Sequence, residues 1–173
     1  MQLIVAQILG FAAVGLYLLS YQLKKRSSIV GVAFLSNIFY VSQYFLLGAF
    51  AGAVMDILAA IASFLAVKKN APFLEKFKKW VPAAMILVIV VIGLVIAGLQ
   101  RSWIELIAVL GAVFQAISLW CDDEQTIRKF GLCSAPCWLV YNFISKAYGS
   151  AIGSIFVIVS IVVSLVRYRK NKS

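Results

Sequence analysis

Val81–Leu99 reads VPAAMILVIVVIGLVIAGL, 19 residues without one charged or hydrogen-bonding side chain. A helix that is apolar on every face has no stable place at a water-facing surface. Crossing ~30 Å of hydrocarbon takes about 20 apolar residues, and this stretch has that length. It is read as a transmembrane helix, and its neighbours in the chain have the same character. Met1–Leu23, Ser27–Met55, Leu106–Cys121, Phe130–Ser145 and Ala147–Val166 contain no Asp, Glu, Lys or Arg. Ser27–Met55 is too long for one span and is expected to turn near Gly48. Seven spans follow, at roughly 3–22, 28–47, 50–67, 81–99, 103–120, 130–145 and 148–166. Composition agrees, because 13% of the 173 residues are charged where a soluble domain carries about 25%. The fold class is therefore all-α integral membrane, with seven transmembrane helices.

The first apolar stretch is read as a helix of the bundle rather than a cleaved signal. No basic residue precedes it, no small-residue cleavage site follows it, and Lys24, Lys25 and Arg26 come after it. The net charge of +10 suggests a nucleic-acid partner until the charges are mapped. With the N-terminus outside, 14 of the 16 basic residues fall on the inner side, leaving Arg101 and Lys146 outside. That bias is the positive-inside signature. It implies a multi-pass membrane protein with a cytoplasmic C-terminus, in contact with the lipid bilayer and not with nucleic acid.

The chain also repeats. Sliding the first half by 98 residues lays Ser36 on Ser134, Tyr40 on Trp138, Phe45 on Phe143, Ala49 on Ala147, Ala53 on Ala151, Ile57 on Ile155 and Lys69 on Arg167. Each unit holds three spans, an odd number, so the lone span Val81–Leu99 is needed to leave both units pointing the same way. The expected organisation is a first unit over 1–68, a basic loop and linker helix over 69–100, and a second unit with a basic tail over 101–173. The linker is expected on the lipid-facing periphery.

Polar residues inside spans are the candidates for function. A carboxylate there costs roughly 2.5–3.5 kcal/mol at a helix centre and usually faces a bundle interior or wet cavity. That singles out Asp56, as a hydrogen-bond acceptor for a solute or a proton-coupling group. Ser36, Tyr40, Gln43 and Tyr44 share one face of the second span, as Ser134, Trp138, Tyr141, Asn142 and Ser145 do in the sixth. Rings beside amides and hydroxyls suit a small polar solute. They equally suit interhelical bonding, with Tyr44, Tyr141 and Tyr148 in an interfacial aromatic belt. Pro136 removes a backbone bond within the sixth span and suits a gating kink. Gly48, Gly52, Gly149 and Gly153 allow close helix packing. Glu105 and the run Asp122–Glu124 are expected to be solvated, and Cys121, Cys133 and Cys137 to be buried small apolar residues. There is no histidine, no nucleophile–base pair and no metal-ligand spacing. No enzymatic activity, metal or cofactor is expected.

Gln43–Gly48 (QYFLLG), Cys137–Asn142 (CWLVYN), Tyr148–Gly149 and Arg167 carry a likeness. The chain resembles the YgjV family of bacterial inner-membrane proteins, relatives of the SWEET, SemiSWEET and PQ-loop transporters. The resemblance implies a SWEET-like 3+1+3 arrangement of two parallel repeats around a pocket opened alternately to either side. It places Tyr40 and Asp56 in that pocket from the first unit and Trp138 and Ser154 from the second, each pair 16 residues apart. Asp56 and Ser154 stand where those transporters carry Asn, and the Pro-Gln motif of their first helix is missing. The expected function is a facilitator-like transporter for a small polar solute, a sugar or another metabolite. Its substrate-binding residues would be Tyr40, Gln43, Asp56, Trp138, Asn142 and Ser154. The alternative is a non-transporting membrane receptor or scaffold of the same fold. A homo-oligomer is compatible with either.

Overall fold

The computed structural model describes residues 2–77, 79–145 and 147–169. Lys78, Lys146, Lys170 and Lys172, used in the charge argument, lie outside the described residues. The helices are α1 (Gln2–Gln22), α2 (Arg26–Leu47), α3 (Phe50–Val67), the single turn α4 (Pro72–Glu75), α5 (Val81–Gln100), α6 (Ile104–Trp120), α7 (Glu124–Ile144) and α8 (Tyr148–Arg169). There is no strand among the described residues. Four segments are long and apolar enough to cross a membrane: Leu3–Gln22, Arg26–Leu47, Val81–Gln100 and Tyr148–Tyr168. Gly52–Val67 and Ile104–Trp120 are apolar but shorter. In α7, Glu124, Arg128 and Lys129 occupy the first turns, so its apolar part begins only at Phe130.

Local chemistry sets the helix ends. Gly48 closes α2 in the left-handed region at φ 72°, and its N–H and that of Ala49 return to the carbonyls of Phe45 and Tyr44. That is its role; a Cβ there would touch nothing within 4 Å, so Gly48 is a cap rather than the packing glycine expected. Arg101 ends α5 in the same conformation, at φ 49°. Asp123 caps α7, accepting from the Thr126 amide at 2.8 Å and its hydroxyl at 2.9 Å. Lys69 and Asp122 form an ion pair. Asp123 and Asp122 thus have structural partners, while the Asp122 side chain stays exposed as expected.

Each long helix except α5 packs on its neighbours to close a ring: α1 on α2, α2 on α3, α3 on α6, α6 on α7, α7 on α8, and α8 back on α1. Outside the ring, α5 leans on α6 and α3. It buries Ile89 and Gly93 while Leu87, Val91, Leu94 and Val95 stay exposed. Polarity is inverted throughout. Leu3, Ile4, Ile8 and Phe11 of α1 and Ile152, Ile155 and Val159 of α8 face outward, while Ser36, Asn37, Gln43, Asp56, Gln115, Asn142 and Ser154 are buried. A fold in water does the reverse.

Hydrogen bonds follow the same 98-residue offset as the sequence. Ser36 donates to the Ala13 carbonyl at 2.8 Å and Ser134 to the Gly111 carbonyl at 2.8 Å. At the end of the ring where the basic loops gather, Arg26 Nε and Nη2 donate to the carbonyls of Cys121 (2.8 Å) and Leu119 (2.7 Å). Arg128 Nε and Nη2 donate to the matching carbonyls of Tyr21 (3.3 Å) and Leu23 (2.9 Å). Each arginine therefore caps the C-terminal end of the opposite half's first helix, where orphan carbonyls favour a cation.

Close approach of α1 and α8 requires Gly153, since a Cβ there would lie 2.3 Å from a Val14 methyl. Val14 is β-branched and stiff. Gly153→Ala is expected to lower stability by about 1–3 kcal/mol. Gly15→Ala, with nothing within 4 Å of the added carbon, is expected to be neutral or to gain ~0.4–1 kcal/mol. Thermal unfolding of the two detergent-purified variants checks the contrast, and equal melting temperatures would refute it.

Candidate functional site

A cavity of about 40 Å³ lies inside the ring, and its wall obeys the repeat. Tyr17 and Gln115, Asn37 and Ala135, Tyr40 and Trp138, Tyr44 and Asn142, and Asp56 and Ser154 all line it. The members of each pair stand 98 residues apart. Ser134 and Val157 complete the wall. Wall residues come from α1, α2 and α3 of one half and α6, α7 and α8 of the other, so neither half encloses the space alone.

Two tiers of polar contacts bound it. Toward the α2–α3 turn, the Tyr44 hydroxyl donates to Asn142 Oδ1 at 2.5 Å, joining a residue to its own repeat mate. Beside it, Ser150 donates to Gln43 at 3.0 Å. The mates of those two meet likewise, with the Tyr141 hydroxyl against Gly52. Toward the basic end, Gln115 donates to Asn37 at 3.3 Å and Tyr21 to Tyr17 at 3.2 Å. Beyond these lie the two arginine caps, and Tyr168, whose ring stands 4.6 Å from the Arg128 guanidinium carbon, donates to the Gln22 carbonyl at 2.9 Å.

Of the six residues expected to bind solute, Tyr40, Asp56, Trp138, Asn142 and Ser154 meet around the cavity. Gln43 does not line it. Its amide wedges against Gly10 of α1, where a Cβ would lie 2.2 Å from Nε2, and it accepts from Ser150 of α8. Asp56, on the second turn of α3, is 4% exposed and has no hydrogen-bond or ion-pair partner among the described residues. Its mate Ser154 is tied to the Ser150 carbonyl at 2.9 Å and to Asn142 at 3.4 Å. Pro136 lies within α7, which continues as helix on both sides of it.

Several other expectations change. Tyr44 and Tyr141 are buried, not interfacial; Tyr148 is 55% exposed. Glu105 is buried beside the Tyr141 hydroxyl rather than solvated. Cys133 is exposed on the outer face of α7, while Cys121 and Cys137 are half-buried. In its loop, the Cys121 thiol is pushed up from the ordinary thiol range, chiefly by burial and then by Asp122. Tyr17, Asn37 and Gln115 were not foreseen. The signal that finds Tyr17 and Gln115 is the 98-residue offset applied to polar residues across unlike types.

An all-helical ring with an apolar exterior and a polar, hydrogen-bonded interior defines an integral membrane protein. Residues 4–172 match the family Imp-YgjV, described as bacterial inner membrane protein, and the chain belongs to that family. No curated protein and no solved structure matches the chain.

The Tyr44–Asn142 bond closes one tier, and its loss leaves a buried amide oxygen unpaired. Tyr44→Phe is expected to cost ~0.5–2 kcal/mol. In a double-mutant cycle with Asn142→Leu the two losses should be clearly less than additive. Strict additivity in thermal denaturation would mean that the two side chains are not coupled.

Proposed function

We propose that the chain is a small-solute transporter working by alternating access, with two three-helix repeats and α5 in the 3+1+3 arrangement of SWEET-like proteins. The observation that carries this reading is the wall of the cavity. Polar and aromatic residues of both repeats, pair by pair, enclose one space inside a bundle whose outside is apolar. A receptor or scaffold has no need of such a space, and in a bundle serving only as one, Tyr40 and Trp138 could face lipid instead of a common cavity.

The two tiers suit the two gates that alternating access requires. One consists of neutral side-chain bonds, Tyr44 to Asn142 and Ser150 to Gln43. The other consists of guanidinium–carbonyl bonds from Arg26 and Arg128. In this reading, both tiers made together close the cavity at its two ends. Breaking either tier, by parting the seams between the halves, opens one end. The positive-inside bias assigns the arginine tier to the cytoplasmic side. Chemistry on a bound molecule has no part in this reading.

Uptake into proteoliposomes tests it. Trp138→Ala and Asp56→Ala should each reduce uptake of any solute that the wild type carries. If both leave every transported solute unaffected, the cavity is not the pathway.

Gating has its own readout. In a background with Cys121, Cys133 and Cys137 replaced by alanine, Asn37→Cys should react slowly with an impermeant maleimide from either side. Adding Arg26→Ala and Arg128→Ala should speed labelling from the basic side by at least about tenfold. Unchanged labelling would mean that the arginines do not hold that end closed.

A further inference from the structure

The cavity has an uneven donor and acceptor balance. Its amides and most of its hydroxyls already have partners in the protein. Asn37 donates to Ser63 at 3.2 Å, Gln115 to Asn37, Asn142 to Ser154, Tyr44 to Asn142, and Ser134 and Ser154 to main-chain carbonyls. Asp56 stands apart: it is buried, it lines the space, and it has neither hydrogen bond nor ion pair among the described residues. No Lys or Arg lies between Ser27 and Val67, and Arg26 and Arg128 are committed to carbonyls at the basic end of the ring.

Around that carboxylate stand aromatic rings. Tyr40 and Tyr44 are stacked with centroids 6.2 Å apart, Tyr17 lines the α1 side, and Trp138 the α7 side. The indole N–H of Trp138 has no acceptor, and it lies against Gly111, within 3.2 Å of where a Cβ would stand. It therefore sits at the wall formed by α6. A buried carboxylate without a partner, sharing one space with Tyr17, Tyr40, Tyr44 and Trp138, is complementary to a cation that carries its own donors. A polyol would instead need donors and acceptors in similar number. At about 40 Å³ the space holds a few non-hydrogen atoms, whereas pockets for drug-sized ligands run to ~300–1,000 Å³.

We infer that the cavity binds a small organic monocation of the primary-ammonium class, its charge on Asp56 and its flanks against Tyr40, Tyr44 and Trp138. This rests on the carrier reading for its passage through the membrane, but not for its binding. The repeat gives the reason for the asymmetry. Ser154 at the mate position is neutral and already bonded, so the single charge of the cavity matches a single charge on the ligand.

Methylammonium chloride is the probe. Titration calorimetry on the detergent-purified full chain should give saturable binding. Asp56→Asn, which keeps the shape and removes the charge, should weaken it by about 10- to 100-fold. Tyr40→Leu should weaken it more than Tyr40→Phe, because only the second keeps a ring face. Melting temperatures of the variants identify any that fail to fold, and the Tyr40 pair decides if Asp56→Asn is one of them. No saturable binding to the wild type, equal binding by Asp56→Asn, or potassium binding where methylammonium does not would overturn the inference.

Proteoliposome uptake of labelled methylammonium and labelled urea separates the two readings. Urea uptake indifferent to Asp56→Asn, without methylammonium binding, would leave a carrier and sink the cation. Methylammonium binding with no uptake of either would leave the cation site and sink the carrier.

Discussion

Hydrocarbon offers no hydrogen bonds, and the rest of this structure follows from that constraint. Most polar side chains placed within the helices find partners inside the protein; among the described residues, Asp56 and the indole N–H of Trp138 do not. In water such a group could turn outward at little cost; here, left unmet, it costs several kcal/mol. The six-helix ring is the solution the chain adopts. It turns Leu, Ile, Val and Phe outward and gathers serines, amides, tyrosines and one carboxylate on the inside. Even the helix ends obey the rule, since Arg26 and Arg128 take up main-chain oxygens that α1 and α6 cannot satisfy themselves.

Duplication makes the ring close. The ring has two seams between the halves, α3 on α6 and α8 on α1, each joining the third helix of one half to the first helix of the other. Between the halves, residues meet those 98 positions away or their neighbours, as Tyr44 meets Asn142. The copies have diverged where symmetry would be a burden. Asp56 lines the cavity opposite Ser154, so the space holds one carboxyl group instead of two. Tyr40 faces Trp138, which keeps an aromatic surface on both sides while changing its width.

The long helices and the loops between them were legible because charge is absent from long stretches and returns at their ends. The outer position of α5 was legible too, since Val81–Leu99 has nothing that an interior would need. Side-chain direction was less so. On α2, Tyr40, Gln43 and Tyr44 fall on one broad face, but a ring helix divides that face between a seam and the centre. Gln43 falls on the seam with α1 and α8, and Tyr44 on the cavity wall. Glu105 sits near a helix end and reads as solvated; only the fold brings Tyr141 over it. Arg26 and Arg128 counted as topology charges, because no local pattern reveals that a side chain reaches across to another repeat.

That reach has a mechanical meaning. The arginine of each half grips the terminus of the other half's leading helix, one arm displaced by a helical turn relative to the other. The halves are thus clasped like two hands, each holding the other's wrist, and the covalent thread through residues 69–80 is not what keeps them together. Cohesion is written into the clasp, so a chain nicked in that thread should still behave as one molecule.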